Sequence, residues 1–223
     1  MTRLIITIDG PAASGKSTLA KLLAEKLDAY FLDTGAMYRA VTLWAMNKGI
    51  DLSSPADIAA MMDTATFTFT IHDGKTMVAI DGRDVSEDIR KPEVTENVHF
   101  VASAPLLRAR LVEMQRQFAT QYKRIVTEGR DQGTVAFPNA DVKFFLTADP
   151  SERARRRQAE LEAKGLVDTM EKTRDAMEKR DNSDQSRSVG ALIPATDAIL
   201  VDSTGLSIEQ VLDLMMEHIS SKK

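Results

Sequence analysis

Near its amino terminus the chain reads Gly10-Pro11-Ala12-Ala13-Ser14-Gly15-Lys16-Ser17-Thr18, which matches the pattern G-x-x-x-x-G-K-[S/T] at every fixed position. The apolar run at 4–8 predicts a buried strand before this stretch, and leucines at helical spacing predict a helix after it. In a loop between a strand and a helix, backbone N–H groups turn inward and the helix dipole favours negative charge. We therefore expect this glycine-rich loop (10–18) to hold a polyphosphate.

Two side chains of the glycine-rich loop carry predicted chemistry. Lys16, expected to be exposed, would reach the β- and γ-phosphates of a nucleotide as a point charge. The Ser17 hydroxyl would ligate a Mg²⁺ ion that bridges the same phosphates. The loop thus predicts one site for a nucleotide and its metal ion.

The composition limits the class of protein. The chain has 223 residues, of which 43% are hydrophobic, so it can bury one sizeable core and is predicted to form a single domain over 1–223. A net charge of −4 argues against a nucleic-acid or anionic-membrane surface, and the lack of cysteine excludes disulfides and thiolate metal sites. A core strand is predicted almost at the amino terminus, and no apolar run reaches transmembrane length. We therefore expect a cytoplasmic protein without a membrane partner.

Strands and helices alternate in the first part of the chain. Tyr30-Phe31-Leu32 predicts a second strand, and the following residues predict a helix to about Asn47, with Thr34 as its cap. This order is typical of an α/β protein. Tyr38 and Arg39 project from the first turns of that helix, near the carboxyl ends of the strands, where ligands bind in such folds. The alternative is a helix cap followed by solvated side chains.

The hydrophobic period changes from residue 66 onward. Apolar residues alternate with threonines over 67–71, a hairpin turn is expected at Asp73-Gly74, and a second turn at Asp81-Gly82 follows another apolar run. The pattern predicts a small antiparallel insert in the α/β protein. It would either shape a substrate pocket or be a passive insertion.

A second informative segment follows the strand predicted at 124–127, and it reads Glu128-Gly129-Arg130-Asp131-Gln132-Gly133-Thr134. A cation between two acids, at the carboxyl end of a strand, suits contact with phosphate and polar groups better than packing. A charged tight turn is the alternative. Two more strands, predicted at 142–146 and 198–201, complete the sheet.

The helix that begins at Asp149 carries four arginines in five positions. Arg153, Arg156 and Arg157 share one face by their spacing and are expected to converge on a phosphate, unless they pair with glutamates on a solvated helix. The polar segment 180–187 is too charged for a core, and we interpret it as the far wall of a mobile arm.

Four segments together resemble bacterial cytidylate kinases, the nucleoside-monophosphate kinases that phosphorylate CMP and dCMP: 10–18, 33–39, 128–134 and 180–187. The resemblance covers essentially the whole chain. It implies the P-loop nucleoside-monophosphate kinase fold, with a parallel five-stranded sheet flanked by helices, a small antiparallel, monophosphate-binding insert at about 36–105 and a helical lid at about 151–165. It also implies ATP as the phosphoryl donor, CMP or dCMP as the acceptor and Mg²⁺ as the cofactor.

The resemblance also implies roles for individual residues. The glycine-rich loop would bind ATP, and the charges that act in catalysis would belong to Lys16, Arg130, Arg153 and Arg157. The predicted substrate contacts are of three kinds: with the acceptor phosphate (Arg39, Arg130, Arg187), near the sugar (Tyr38, Arg180, Asp184) and with the base (Arg108, Asp131). Thr34 is also expected to contact the substrate. The chain departs from the family pattern at Glu128, where an aspartate is familiar, and at His99, where a base-contacting serine would align.

The chemistry expected of such a site is simple, because an acceptor phosphate oxygen is already charged at neutral pH and requires no general base. Catalysis then reduces to positioning and charge neutralisation. A GTPase switch shares the loop but requires a late N-K-x-D segment, and the nearest string, at 47–51, has the wrong spacing and comes too early. A kinase for UMP, AMP or another small metabolite is the closer alternative, and a monomer is expected.

Overall fold

The computed structural model describes residues 3–72, 75–163, 165–166 and 168–221. The hairpin turn expected at Asp73-Gly74 lies outside the described residues. In chain order the elements are β1 (Leu4–Asp9), α1 (Lys16–Lys26), β2 (Tyr30–Asp33), α2 (Thr34–Asn47), α3 (Pro55–Thr64), β3 (Phe67–His72), β4 (Lys75–Ile80), β5 (Arg83–Asp84), a 3₁₀ turn (Asp88–Arg90), α4 (Pro92–Ser103), α5 (Pro105–Thr120), β6 (Arg124–Gly129), a π-helical turn (Gln132–Ala136), β7 (Val142–Thr147), α6 (Pro150–Glu162), α7 (Met170–Gln185), β8 (Ile199–Asp202) and α8 (Ile208–Ser221).

Five strands form one parallel sheet in the order β2-β6-β1-β7-β8. The central strand, β1, is apolar along most of its length, because a parallel sheet is covered by helices on both faces. The remaining strands, β3, β4 and β5, form a small antiparallel sheet. The predicted α/β class, parallel five-stranded sheet and antiparallel insert are confirmed.

The register of the parallel strands determines where the loops meet. Asp9 at the end of β1 lies opposite Gly129 of β6, and Asp33 at the end of β2 lies opposite Glu128. Loops that leave parallel strands at their carboxyl ends emerge at one edge of the sheet. The glycine-rich loop, the start of α2 and the segment after β6 are therefore neighbours.

Two hydrophobic cores support this edge. Ile6 and Ile8 of β1 pack in one core with apolar residues of α1 and α8. The second core joins α2, α5 and the antiparallel sheet, so that Val78 of β4 and Leu107 of α5 belong to the same cluster. The insert is thus packed against the helices that carry candidate site residues, while its limits at about 36–105 and those of the lid at about 151–165 stay predictions.

The start of α2 differs from the expectation. Asp33, not Thr34, is the cap: its carboxylate accepts a hydrogen bond from the Ala36 N–H at 2.9 Å. The Thr34 hydroxyl instead donates to the Glu128 carbonyl at 2.8 Å, because the parallel register places β6 beside the end of β2. Thr34 therefore ties two loops of the site together.

Among the described residues, no helix combines the length and the apolar character needed to cross a membrane.

Candidate active site

A cavity of about 710 Å³ opens at the carboxyl edge of the parallel sheet. Its walls come from the glycine-rich loop, the start of α2, α4, the segment after β6, and the facing sides of α6 and α7. Among the residues that the structure describes, eight basic and five acidic side chains line it. A protein with a net negative charge thus has a local excess of positive charge in this cavity, which suits anionic ligands.

The glycine-rich loop is held close against the neighbouring strand. Gly10 has φ 151°, and a Cβ at this position would lie 2.0 Å from the Leu146 carbonyl oxygen of β7. Only glycine allows such an approach. The loop leads directly into α1, whose first residue is Lys16, so the unpaired amides of that helix face the cavity end of the loop.

Lys16 is buried, contrary to the expectation of an exposed loop lysine. Its side chain folds back over the loop, where Nζ donates to the Pro11 carbonyl at 2.6 Å and lies 3.3 Å from the Ser14 hydroxyl. Burial lowers the pKa of Lys16 to about 7, and the nearby Arg130 contributes to the same shift. Lys16 nevertheless lines the cavity, so it stays available to a ligand there.

Ser17 and Glu128 bring two oxygen donors together at the floor of the cavity. The Ser17 hydroxyl donates to Glu128 Oε1 at 2.8 Å, and both residues line the cavity. Among the described residues, no group of three or more histidine or acidic side chains is placed to hold a metal ion. Two protein oxygens suit Mg²⁺, which keeps waters and substrate phosphates as its other ligands.

Opposite the loop lies a group of arginines that we call the arginine cluster: Arg39, Arg90, Arg108, Arg130, Arg180 and Arg187. They come from α2, the 3₁₀ turn, α5, the segment after β6, α7 and the residues after α7. Arg90 was not predicted as a site residue, since nothing in its local sequence separates it from a surface arginine. It reaches the cavity because α2 packs against the 3₁₀ turn.

Asp33 holds two members of the cluster. Its carboxylate lies 3.6 Å from Arg39 and 3.3 Å from Arg90. The Arg39 Nε is buried without a hydrogen-bond partner in the part of the chain that the structure describes. A buried donor without a partner is costly, so this guanidinium has capacity for an anionic ligand.

Asp184 organises the far side of the cluster from α7. It accepts a hydrogen bond from Arg130 Nε at 2.6 Å and forms an ion pair with Arg187. Arg180 is accessible within the cavity, but surrounding protein atoms remove part of its hydration and Arg130 repels it, which together lower the pKa of Arg180 to about 10. The expectation that 180–187 is too charged for burial is wrong in part, because Asp181 and Asp184 are buried.

Arg108 and Asp131 form a buried ion pair at one end of the cavity, with each side chain only 4% exposed. Arg108 also donates to the Ala102 carbonyl at 2.9 Å and lies over the Tyr38 ring, 5.5 Å from its centroid. Burial raises the pKa of Tyr38 to about 12, so its hydroxyl stays neutral. The structure therefore places three predicted substrate contacts side by side.

The arginines of α6 do not converge as expected. Arg153 packs under the glycine-rich loop, where its Nη1 donates to the Ala12 carbonyl at 3.2 Å. Arg156 turns away to the Ser203 carbonyl, to which its Nη2 donates at 2.7 Å, and only Arg157 lines the cavity. Adjacent positions on a helix point about 100° apart, so Arg156 and Arg157 point in different directions although their spacing assigns them to one face. Each arginine therefore contacts whichever part of the fold packs nearest to it.

Asp9 is a further buried residue that the sequence did not single out. Its carboxylate accepts hydrogen bonds from the Gln132 N–H at 2.8 Å and the Gly133 N–H at 2.7 Å. Burial raises the pKa of Asp9 to about 6 although these bonds oppose the shift. By anchoring the segment after β6, Asp9 fixes the backbone beside Arg130 and Asp131.

Most of the predicted site residues line the cavity; those that lie behind its wall are Gly10, Pro11, Ser14 and Arg153. Glu128, noted as a departure, faces Ser17. His99 is exposed and its Nδ1 lies 2.7 Å from the Glu96 carbonyl; on α4 the cavity is instead lined by Thr95, Val98 and Ala102.

A glycine-rich loop on a parallel α/β sheet, with the arginine cluster in the same cavity, is typical of P-loop phosphotransferases. The comparisons with known proteins narrow this class. The family model described as "Cytidylate kinase" matches residues 6–221, and the chain belongs to this family.

Two curated relatives match over nearly their full length. The chain is 46% identical over 219 residues to "Cytidylate kinase" of Desulfitobacterium hafniense, which covers 98% of this chain and 94% of the relative. It is 43% identical over 217 residues to "Cytidylate kinase" of Pelotomaculum thermopropionicum, with 97% and 96% covered. Among solved structures, an uncharacterized protein from Eubacterium ventriosum has a TM-score of 0.54 at 16% identity, covering 99% of each chain, and supports the fold alone.

Proposed function

We propose that the protein transfers the γ-phosphoryl group of ATP to the phosphate of CMP or dCMP, producing ADP and CDP or dCDP. The observation that carries this proposal is that Lys16 and the arginine cluster open into the same cavity. A phosphoryl donor and a phosphorylated acceptor can thus meet there with water excluded. Membership of the cytidylate kinase family, and relatives that bear this name, support the choice of acceptor.

The arginine cluster would offset the main barrier to the reaction, which is the repulsion between two anionic phosphates. Arg39, Arg130 and Arg187 would hold the acceptor phosphate, and Lys16 with Arg157 would neutralise charge on the transferred group. The attacking atom is an acceptor phosphate oxygen that is already charged. Its lone pair forms the new P–O bond while the bond to the ADP oxygen breaks, so no protein base is required.

Mg²⁺ is the cofactor that this chemistry uses, and Ser17 and Glu128 would hold it. When bound, the ion neutralises the β- and γ-phosphates and orients them for in-line transfer. The pair of oxygen donors at 2.8 Å supports this assignment, since hydroxyl and carboxylate oxygens are ligands that Mg²⁺ prefers.

Cytosine recognition would come from Arg108 and Asp131. The base presents an amino donor beside the N3 and O2 acceptors, and a carboxylate beside a guanidinium complements that order. Their burial supports the assignment, because hydrogen bonds discriminate most strongly where water cannot replace them. Tyr38, Arg180 and Asp184 would contact the sugar, from a wall adjoining both the base and the phosphate positions.

The lid predicted at about 151–165 consists mainly of α6 and would close over the cavity beside α7, against which α6 packs. Arg157 lies on the cavity side of α6, so closure would bring its charge toward the phosphates and exclude water.

A monomer that works in the cytoplasm and binds no nucleic acid fits this activity.

The direct test is ADP release with Mg²⁺ and ATP against a panel of CMP, dCMP, UMP, AMP and dTMP. We expect the highest kcat/KM for CMP and dCMP and at least about 10³-fold less for UMP, because uracil presents an acceptor where cytosine presents its amino group. Equal rates with AMP or dTMP, or no ADP release with any acceptor, would refute the proposal.

A further inference from the structure

Helix α7 carries two acidic residues on a face that is otherwise built for packing. Thr173, Met177, Asp181 and Asp184 are its buried residues, and their spacing places them on one side of the helix. Asp184 has been described as the partner of Arg130 and Arg187. Asp181 has no place in the proposed chemistry, yet a buried carboxylate is retained only where partners offset its desolvation.

The partners of Asp181 belong to the glycine-rich loop and to α6. Its Oδ1 accepts a hydrogen bond from the Ala12 N–H at 3.1 Å, and its Oδ2 is paired with Arg153 Nη1. The same Arg153 nitrogen donates to the Ala12 carbonyl at 3.2 Å. Asp181 and Arg153 together therefore form hydrogen bonds with both the N–H and the C=O of Ala12.

Asp184 lies nearly one helical turn further along α7, about 4.5 Å from Asp181 along the helix axis. It is hydrogen-bonded to Arg130 and ion-paired with Arg187 of the arginine cluster, just as Asp181 is bound to the glycine-rich loop. The two carboxylates are fixed on one continuous helix, Met170–Gln185. A shift of α7 that tightens one contact therefore changes the other.

We propose that Asp181 is a positioning residue that couples the two substrate subsites, so that a nucleotide on the glycine-rich loop raises the affinity of the acceptor subsite. This inference rests on the proposed function, which assigns ATP to the loop and CMP to the arginine cluster. The arrangement in which α7 contacts both the glycine-rich loop and the arginine cluster binds ATP and CMP most tightly. By thermodynamic linkage, each ligand then raises the affinity for the other by the same factor.

The test measures the Kd of CMP by titration calorimetry, with and without saturating Mg²⁺ and β,γ-methylene-ATP. For the unaltered protein we expect the analogue to lower the Kd of CMP at least about 5-fold, and CMP to lower the Kd of the analogue by the same factor. In Asp181→Asn, which keeps the shape but loses the charge that holds Arg153, we expect this factor to fall below about 2.

Two further variants make the test specific. Arg153→Gln breaks the same contact from α6 and is expected to reduce the coupling factor in the same way. It therefore tests the proposal even if Asp181→Asn does not fold. Asp175→Asn changes an exposed acid on the same helix and is the matched control, with the coupling factor expected to equal that of the unaltered protein.

The outcomes separate the two proposals. If the protein phosphorylates CMP but shows no coupling between the ligands, or if Asp181→Asn weakens both ligands while the coupling factor is retained, then Asp181 is only a structural contact and the inference is overturned. If the unaltered protein phosphorylates no cytidine nucleotide, the proposed function fails independently of the coupling measurement.

Discussion

The glycine-rich loop and the arginine cluster line the same cavity, but they are assembled differently. The loop is one run of nine consecutive residues that follows β1 and ends in the first turn of α1, and it offers mainly backbone N–H groups. The cluster draws side chains from six places between Arg39 and Arg187. A binding group made of backbone is determined by local conformation, whereas one made of side chains depends on how distant elements pack.

The two regions also differ in how their charges are held. Lys16 donates to neutral oxygen atoms of its own loop, while Asp33, Asp131 and Asp184 are the acidic partners of arginines in the cluster. These pairs orient the guanidinium groups before a ligand arrives, which reduces the entropy lost on binding. We therefore expect substitutions in the loop to abolish turnover, and substitutions in the cluster to alter acceptor affinity and choice.

The largest effect is expected for Lys16→Ala. Turnover should fall roughly 10³-fold, because no other loop side chain supplies a charge to the transferred phosphoryl group. Steady-state ADP release measures the loss, and far-UV circular dichroism with thermal unfolding checks that the fold is intact. Lys21→Ala, at an exposed position of α1, is the control and should retain full turnover. Comparable losses in both variants would contradict a specific role for Lys16.

Asp131→Asn tests whether the cluster sets base choice. The kcat/KM for CMP should fall by about 10²–10³-fold and that for UMP by much less, because the amide can donate an N–H to the uracil O4 whereas the carboxylate can only accept. Rates measured for both nucleotides at several concentrations give the ratio directly. Equal losses for CMP and UMP would instead assign Asp131 to orienting Arg130.

Arg39→Ala tests whether the loop and the cluster bind separate ligands. The KM for CMP should rise about 10–100-fold through the loss of charge-assisted hydrogen bonds to the acceptor phosphate, while the KM for ATP changes less than about 2-fold. The matched control is Arg110→Ala, which removes a guanidinium paired with Asp63 on the protein surface. A similar rise in the KM for ATP would show that the assignment of Arg39 to the acceptor is wrong.

The smallest effect concerns Asp9, which directly precedes the glycine-rich loop and anchors the segment after β6. Because its pKa is raised from 3.8 to about 6 on folding, the folded state favours the protonated form, and the stability that this provides is present below about pH 4 and lost as the pH rises through 6. Asp9→Asn removes this dependence. Relative to the unaltered protein, its free energy of unfolding should rise by about 2 kcal/mol between about pH 4 and pH 7.

Urea unfolding of the two proteins at both pH values measures that difference. Asp175→Asn, exposed on α7, is the control and should follow the pH dependence of the unaltered protein. A difference between Asp9→Asn and the unaltered protein that stays constant with pH would show that the Asp9 carboxyl titrates as an ordinary exposed acid.

Sequence patterns predicted the sheet strands, the antiparallel insert and the glycine-rich loop, because each depends on neighbours in the chain. Period-two alternation predicted β3, and a strand followed by G-x-x-x-x-G-K-[S/T] predicted the loop between β1 and α1. The cap of α2 was assigned one residue too late, because Asp33 and Thr34 are both good capping residues and only the parallel pairing with β6 gives Thr34 another partner.

The sequence by itself determined the α/β class, the phosphate-binding loop and, through its resemblance, the family to which the chain belongs. The tertiary structure alone decided that Lys16 is buried, that Arg90 joins the cavity while Arg156 leaves it, and that Asp9 anchors the segment after β6. The physical reason is that backbone conformation follows local sequence, whereas the partner and burial of a long charged side chain depend on which distant element packs against it.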